Sequence, residues 1–455
     1  MGAPSKPHTQ FGRLAAAAVV IRALLYFGAQ SLVNHLQHRI ELATPLTSYP
    51  RLQEGVFLYQ SGFDPYDGNV YFQPALYLPL FQLLAQLPAA WTFAFYAVMD
   101  IAIAWQLWQI VAALQASRSS APNTPAPITA PKTAAATKHT KACKPSDASQ
   151  NKTCRLPATT AEFDGSVALC PATVAALYLG NPLTILTCLA HSTLVFNTFA
   201  IVSCLRHSLQ QRWTLAMAWL AVAAYLSFYP AMLIGPALLI LGNARATTMS
   251  FVGRCLGVLI GTSLGLGLAS YALVGSWSFI ASTYGVALTV SDLTPNLGLF
   301  WYFFIEMFDH FRSFFLVVFQ LHTFIFAAPV CIRFNNHPVL AFTVLCGIMA
   351  LFKSYPSVGD MVLVLALLPL HHQVFKYMRY TFLTVGLMVY ALVLAPLFWH
   401  LWIYQGSGNA NFFYAATLVY AAAQIFLLID LTQSMLRREH DRLYPTVRTL
   451  LVAQE

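Results

Sequence analysis

Apolar runs near 14–33, 91–113, 167–187, 190–205, 213–228, 230–242, 254–274, 300–328, 338–352, 359–371, 380–398 and 412–430 leave this chain little choice of solvent. About 17–25 apolar residues cross a bilayer as a helix, and several of these runs fall only slightly short of that. The runs are continuously apolar and do not alternate with a period of two, which excludes the wall of a β-barrel. With 58% hydrophobic and 9% charged residues over 455 positions, a water-soluble fold could not cover its own surface. The expected fold is an all-α polytopic membrane protein forming a single multispan domain over 1–455, with about 12 transmembrane helices. The stretch 72–88 adds a re-entrant or interfacial helix.

An even number of spans puts both termini on one side, and the basic residues say which. One side collects Lys6, Arg13, the seven basic residues from Arg118 to Arg155, Arg206, Arg212, Arg245, Arg254, Arg333, Lys376, Arg379, Arg437, Arg438, Arg442 and Arg448. The other holds only Arg39, Arg51 and Lys353, so twenty face three and the termini are cytosolic. The net charge of +9 therefore reports orientation, and without a basic face or a binding motif it gives no case for nucleic acid. Arg22, inside the first run, argues for a retained span and against a cleaved signal peptide.

Residues 114–165, rich in Ala, Pro, Thr and Lys, lack the apolar content to pack and read as a disordered cytosolic loop. The Asn151-Lys152-Thr153 sequon lies there, on the wrong side for glycosylation. Six cysteines lie in or beside apolar runs, and Cys143 and Cys154 share the loop at a spacing that matches no zinc motif, so free thiols are expected. The far side holds the stretches 34–72, 275–299 and 399–411. Tyr49-Pro50, Tyr229-Pro230 and Tyr355-Pro356 sit at span ends facing it, either as ordinary interfacial Tyr and helix-ending Pro or as parts of a shared site.

The run 300–328 carries four ionisable groups: Glu306, Asp309, His310 and Arg312. On a continuous helix Glu306, Asp309, His310 and Ser313 share one face. With Trp301 at the far-side interface, Glu306 lies about 7–8 Å deeper. Charge at that depth costs several kcal/mol unless paired or wetted. Two readings follow. Arg312 neutralises Asp309 while His310 bonds a neighbouring helix, or the acidic groups line a polar notch that admits a headgroup sideways from the membrane. Glu-x-x-Asp-His is not a ligand spacing, so neither a metal nor a cofactor is expected. Lys353 and Asp360 bracket a Pro-containing turn that they are expected to stabilise, with Lys353 snorkelling or, alternatively, meeting a phosphate. Asn409 and Asn411, beside Gly406 and Gly408, suit sugar hydroxyls or an ordinary Asn/Gly turn. With Asn296 from the neighbouring Pro-Asn-Leu-Gly, the candidate binding set is Asn296, Trp301, Glu306, Asp309, His310, Lys353, Asp360, Asn409 and Asn411. His371-His372 with Lys376 reads as a solvated cytosolic helix end, and no nucleophile–base set suggests catalysis.

Three stretches, DLTPNLGLFWYFFIEMFDHF (292–311), FKSYPSVGD (352–360) and WHLWIYQGSGNANFFYA (399–415), resemble the PIG-U family, with NPLTILTCLAHST (181–193) and LRRE (436–439) fitting the same pattern. That family is the multispan subunit of the glycosylphosphatidylinositol (GPI) transamidase of the endoplasmic reticulum. The resemblance implies a complex that removes a carboxy-terminal signal and attaches a preassembled GPI lipid. It implies PIG-K, PIG-T, PIG-S and Gaa-type partner subunits, with the chemistry in a separate cysteine-protease-like subunit. This chain's implied part is non-catalytic, recognising the lipid or scaffolding the complex, and the far side becomes the lumen. GPI carries protonated glucosamine and ethanolamine, which would suit the acidic notch.

The first lumenal loop, 44–81, is more distantly similar to that of the mannosyltransferases that build GPI, which share the GT-C architecture and use dolichol-phosphate-mannose. Thr47-Ser48-Tyr49 stands where those enzymes carry an acidic motif, and neither Thr nor Ser replaces a carboxylate. The competing expectation is a mannosyltransferase using Glu41 or Glu54. A transporter would show inverted repeats, and the chain has none that convinces.

Overall fold

The structure is a computed structural model and describes residues 7–119, 169–242 and 248–444. In chain order the helices are α1 (Pro7–Gly28), α2 (Gln30–Gln37), α3 (Tyr49–Gln60), α4 (Tyr77–Ala85), α5 (Ala89–Ser119), α6 (Pro171–Leu179), α7 (Pro182–Leu189), α8 (Leu194–Leu209) and α9 (Trp213–Leu226). They continue with α10 (Ile234–Gly242), α11 (Met249–Val274), α12 (Ser278–Ile280), α13 (Val286–Thr289), α14 (Phe300–Glu306), α15 (Asp309–Ile325), α16 (Ala327–Arg333), α17 (Pro338–Phe352), α18 (Val358–Leu367), α19 (Thr381–Ile403) and α20 (Ala410–Leu443). A 3₁₀ turn, Tyr229–Leu233, leads into α10, a π turn joins α12 to α13, and Leu368–Tyr377 continues α18 as 3₁₀. No strand occurs among the described residues.

Seven of these helical stretches are long and apolar enough to cross a membrane, and α6 with α7 makes an eighth, bent by 51°. Four predicted spans appear as shorter apolar helices: Leu194–Leu209, Trp213–Leu226, Tyr229–Gly242 and Pro338–Phe352. The predicted span 300–328 is not one helix. Met307 (ψ 142°) and Phe308 (ψ 135°) are extended and separate α14 from α15. The predicted span 14–33 likewise breaks at Ala29, where φ is −137°. The stretch 72–88 contributes the short α4, which packs on α3, the one full helix inside the predicted loop 34–72. Helix α5 runs on to Ser119, and the rest of the predicted 114–165 loop, with Cys143, Cys154 and Asn151, lies outside the described residues.

The bend between α6 and α7 follows from Gly180-Asn181-Pro182. Pro182 has no N–H to continue a helix but suits its first turn, and Asn181 caps it by accepting Leu183 N at 3.0 Å. The break leaves the carbonyls that end α6 without helical partners, which hydrocarbon cannot satisfy. Arg22, 1% exposed, donates Nη1 to Leu179 O at 3.1 Å and pairs with Asp100 through Nη2 at 2.9 Å. The charge that argued against a signal peptide thus ties α1 to α5 and to the bend.

Helix α5 lies between α6 and α8, α9 packs on α8 and α11, and α19 runs along α20. Helix α17 approaches α20 where Gly347 faces Leu428, whose Cδ2 would stand only 2.4 Å from any Cβ there. The core is continuous through these helices. Of the cysteines, Cys188, Cys204, Cys255 and Cys346 are buried, Cys331 is half-buried and Cys170 exposed, all as free thiols.

Candidate functional site

The connecting segments at the end predicted to face the lumen are stitched together. Thr193 N donates to Thr47 O at 3.1 Å and Val358 N to Glu41 O at 2.9 Å. Arg51 Nη1 meets Asp292 Oδ2 at 2.8 Å, and Tyr355 donates its hydroxyl to Asp292 O at 2.7 Å. Burial alone would raise the pKa of Asp292, but bonds from the Thr294 hydroxyl and N–H, with Arg51, hold it below the usual carboxylate range. Tyr414 donates to Leu299 O at 3.4 Å, so α20 begins against the segment leading into α14.

The nine predicted site residues separate into three groups. Around the start of α20, Asn409 accepts Asn411 N at 3.1 Å and Phe412 N at 3.4 Å, an N-cap on the longest helix. The Asn411 side chain accepts the Tyr302 hydroxyl, which also faces the Glu306 carboxylate one turn further along α14. Glu306 is exposed and has no cationic partner among the described residues. Trp301 does not mark an interface. It is 0% exposed and packs on Phe413 and Tyr414, with ring centroids 6.0 and 5.7 Å away. Tyr302 and Tyr414, stacked at 4.6 Å, complete this patch.

The second group is structural. Lys353 and Asp360 do not snorkel but form an ion pair at 2.5 Å, with side chains 8% and 5% exposed. Asp360 also accepts Ser357 N at 2.8 Å, completing a capping box on α18. Asn296, fully buried, accepts Gly298 N at 2.7 Å and donates to Thr294 O. Gly298 is required there because a Cβ would meet Pro356 Cδ at 2.6 Å.

The third group departs most from expectation. The extended residues between α14 and α15 destroy the single helical face, so Asp309 and His310 do not stand below Glu306. Both are exposed on α15, and Arg312 does not neutralise Asp309. Arg312 Nη2 instead binds Val290 O at 2.8 Å and Thr289 O at 3.3 Å, with its guanidinium 5.3 Å from the centre of the Phe304 ring. Val290 has φ 52°, an unfavourable conformation for a β-branched residue, and its carbonyl is held by this contact.

Thr47, at the position of the mannosyltransferases' acidic motif, lines a cavity of about 40 Å³ with Thr193, Asn197, Tyr229, Lys353 and Tyr355. That volume suits a few waters and no sugar. Tyr229 and Tyr355 are buried, not interfacial, and Ser354 links Tyr229 to the turn at 3.1 Å. Tyr49 stands elsewhere, against His191 and Tyr96. Glu41 is buried and bound twice by Arg39, at 2.6 and 2.9 Å, while Glu54 is an exposed residue of α3. Tyr302 was missed from sequence. Its spacing of four residues before Glu306 was the available signal.

Fold and site together define an all-helical, multispan membrane protein with an unpaired carboxylate, a tyrosine and two asparagines gathered at one end. Residues 16–420 match the family described as GPI transamidase subunit PIG-U. The GPI-anchor transamidase component PIGU of Homo sapiens is 33% identical over 441 residues, 93% of this chain and 93% of that protein. The GPI transamidase component GAB1 of Saccharomyces cerevisiae is 33% identical over 445 residues, covering 96% and 97%. The GAB1 homolog of Schizosaccharomyces pombe is 32% identical over 411 residues, 90% of each. This chain belongs to the PIG-U family.

Proposed function

We propose that this chain acts in the endoplasmic reticulum membrane as a non-catalytic subunit of the GPI transamidase, presenting the GPI headgroup and scaffolding PIG-K-, PIG-T-, PIG-S- and Gaa-type subunits. The exposed, uncompensated Glu306 beside Tyr302 and Asn411 carries the reading. A carboxylate beside apolar helices with no cationic partner among the described residues is a candidate for a ligand contact. A carboxylate with amide and phenol groups suits a ligand bearing ammonium and hydroxyl groups. Asp309 and His310 extend the exposed polar surface along α15.

Twelve crossings follow if the bent pair and the four shorter apolar helices each count as a span, which keeps both termini cytosolic. The helical first loop, α3 and α4 against α5, is compatible with a GT-C scaffold. The mannosyltransferase alternative loses support, because Glu41 is bound by Arg39 and the Thr47 cavity does not fit a sugar.

The test is the double change Glu306→Gln with Asp309→Asn. It keeps volume and hydrogen bonding while removing attraction for ammonium groups, an attraction that grows as water is excluded. The complex should assemble normally while unattached GPI and uncleaved precursor accumulate. Normal attachment would end the headgroup role, and failed assembly would make the carboxylates structural. Orientation is tested separately: protease added to sealed microsomes should cut within 114–165, and Asn151→Gln should leave the mass unchanged.

A further inference from the structure

A second site lies apart from the Glu306 patch. Between α2, α7, α19 and α20 is a cavity of about 340 Å³, walled by aliphatic side chains such as Leu36, Leu183, Leu186 and Leu392. His35, which is exposed, and the buried Arg39–Glu41 pair also line it. Tyr420 lines it too, 2% exposed, with a hydroxyl that has no hydrogen-bond partner among the described residues. A buried donor without an acceptor carries a desolvation penalty. A leucine-lined cavity also stays dry and takes apolar ligands.

We propose that this cavity holds one acyl chain of a zwitterionic bilayer phospholipid with a primary ammonium headgroup, its phosphate against Arg39 and its ammonium against Glu41. The chain fills the aliphatic part, and an ester carbonyl accepts the Tyr420 hydroxyl. The charges select the headgroup. Arg39 uses Nε and Nη2 on Glu41, and its Nη1 makes no hydrogen bond among the described residues, so its N–H donors are left for a phosphate oxygen. Among the described residues the Glu41 side chain accepts only from Arg39, and it keeps lone pairs for an ammonium. A neutral ion pair matches a headgroup carrying both charges in sequence. An inositol phospholipid would place an uncompensated negative charge beside the Glu41 carboxylate.

The test uses the intact complex in nanodiscs containing phosphatidylethanolamine with a photoreactive group in one acyl chain. Cross-links should map to Leu183–Leu186 and Ala391–Pro396, and excess unlabelled phosphatidylethanolamine should remove them. Ala395→Phe, which fills the cavity, should lower them at least about tenfold. Arg39→Gln with Glu41→Gln keeps the side-chain shapes and should abolish the preference over phosphatidylinositol, so it decides the matter if Ala395→Phe does not assemble. Cross-links elsewhere, an unchanged yield in Ala395→Phe, or an unchanged preference in the Arg39 and Glu41 double variant would overturn the proposal. So would phosphatidylinositol competing as well as phosphatidylethanolamine, which would assign the cavity to lipids of the substrate's own type. GPI attachment in the Glu306 variant is a separate readout, so this proposal and the headgroup reading fail independently.

Discussion

Lys353 and Glu306 are both ionisable groups beside apolar helices, yet the fold treats them in opposite ways. Lys353 is withdrawn into the protein, met by Asp360 at 2.5 Å and fixed by the capping box of α18. Glu306 is left outside with a tyrosine and an asparagine for company. Arg22 and Asp100 belong with the first kind, since their pair satisfies a carbonyl that the α6–α7 bend would otherwise strand. The difference separates two uses of charge in a membrane protein. A buried pair that braces a turn or joins distant helices holds the architecture, whereas a lone exposed carboxylate has no such work and is free for a ligand.

The sharpest way to break this comparison is to remove one partner of a buried pair. Asp360→Asn or Lys353→Met leaves an uncompensated charge or its stranded partner, at about 3–5 kcal/mol. The yield of assembled complex should collapse, whereas Glu306→Gln should leave it unchanged. The double change Lys353→Met with Asp360→Leu should recover much of the loss, because replacing both partners by apolar groups removes the desolvation problem. Equal yields for Asp360→Asn and Glu306→Gln, measured by co-purification of the complex, would erase the distinction.

That distinction was only partly legible in the sequence. Long apolar runs located the helices, because the hydrocarbon requirement acts on every residue of a span. The α6–α7 bend was spelled out by Gly180-Asn181-Pro182, though the run 167–187 reads as a single span. Nothing comparable marks Met307 and Phe308, two apolar residues that are extended in the fold, so Glu306, Asp309 and His310 are read wrongly as one face. Trp301 misled in the same way. Tryptophan favours interfaces on average, but this ring is enclosed by Phe413 and Tyr414 from a helix more than a hundred residues away in sequence. The family resemblance was legible because it rests on local motifs. The Arg39–Glu41 pair and the cavity beside it were not, since α2, α7, α19 and α20 meet only in the folded chain.

Arg312 offers a smaller test, because its charge is used neither for pairing nor for a ligand. Arg312→Gln would release the carbonyls of Thr289 and Val290 and the strained backbone at Val290, at roughly 1–3 kcal/mol. Faster proteolysis confined to 286–299, with GPI attachment reduced less than in the Glu306 and Asp309 double variant, is the expected pattern. At Asn409 the effect should be smaller still. Its side chain caps α20, and Asn409→Ala should cost about 1 kcal/mol, seen as a lower unfolding temperature. A selective loss of GPI attachment in that variant, without loss of stability, would move Asn409 from the helix cap to the ligand.

The Arg51–Asp292 pair lies between the two extremes, with side chains 26% and 15% exposed, and should behave as an intermediate case. It joins the first loop to the segment before α14, as a buried pair would, but water and salt reach it, so its contribution is small and screened. Its titration sets the sign. Asp292 has a folded pKa below its ordinary value of 3.8, so the unfolded chain binds the proton more readily. The stabilisation is therefore fully present above the ordinary value and lost as pH falls through the lower, folded one. The unfolding temperature of the purified complex should fall on acidification below about pH 4. Asp292→Asn should start lower at neutral pH and show a shallower fall, and added salt should narrow the gap between the two proteins. If Asp292→Asn matched Asp360→Asn in severity and ignored salt, exposure would not be what sorts these charges, and the contrast between Lys353 and Glu306 would need another cause.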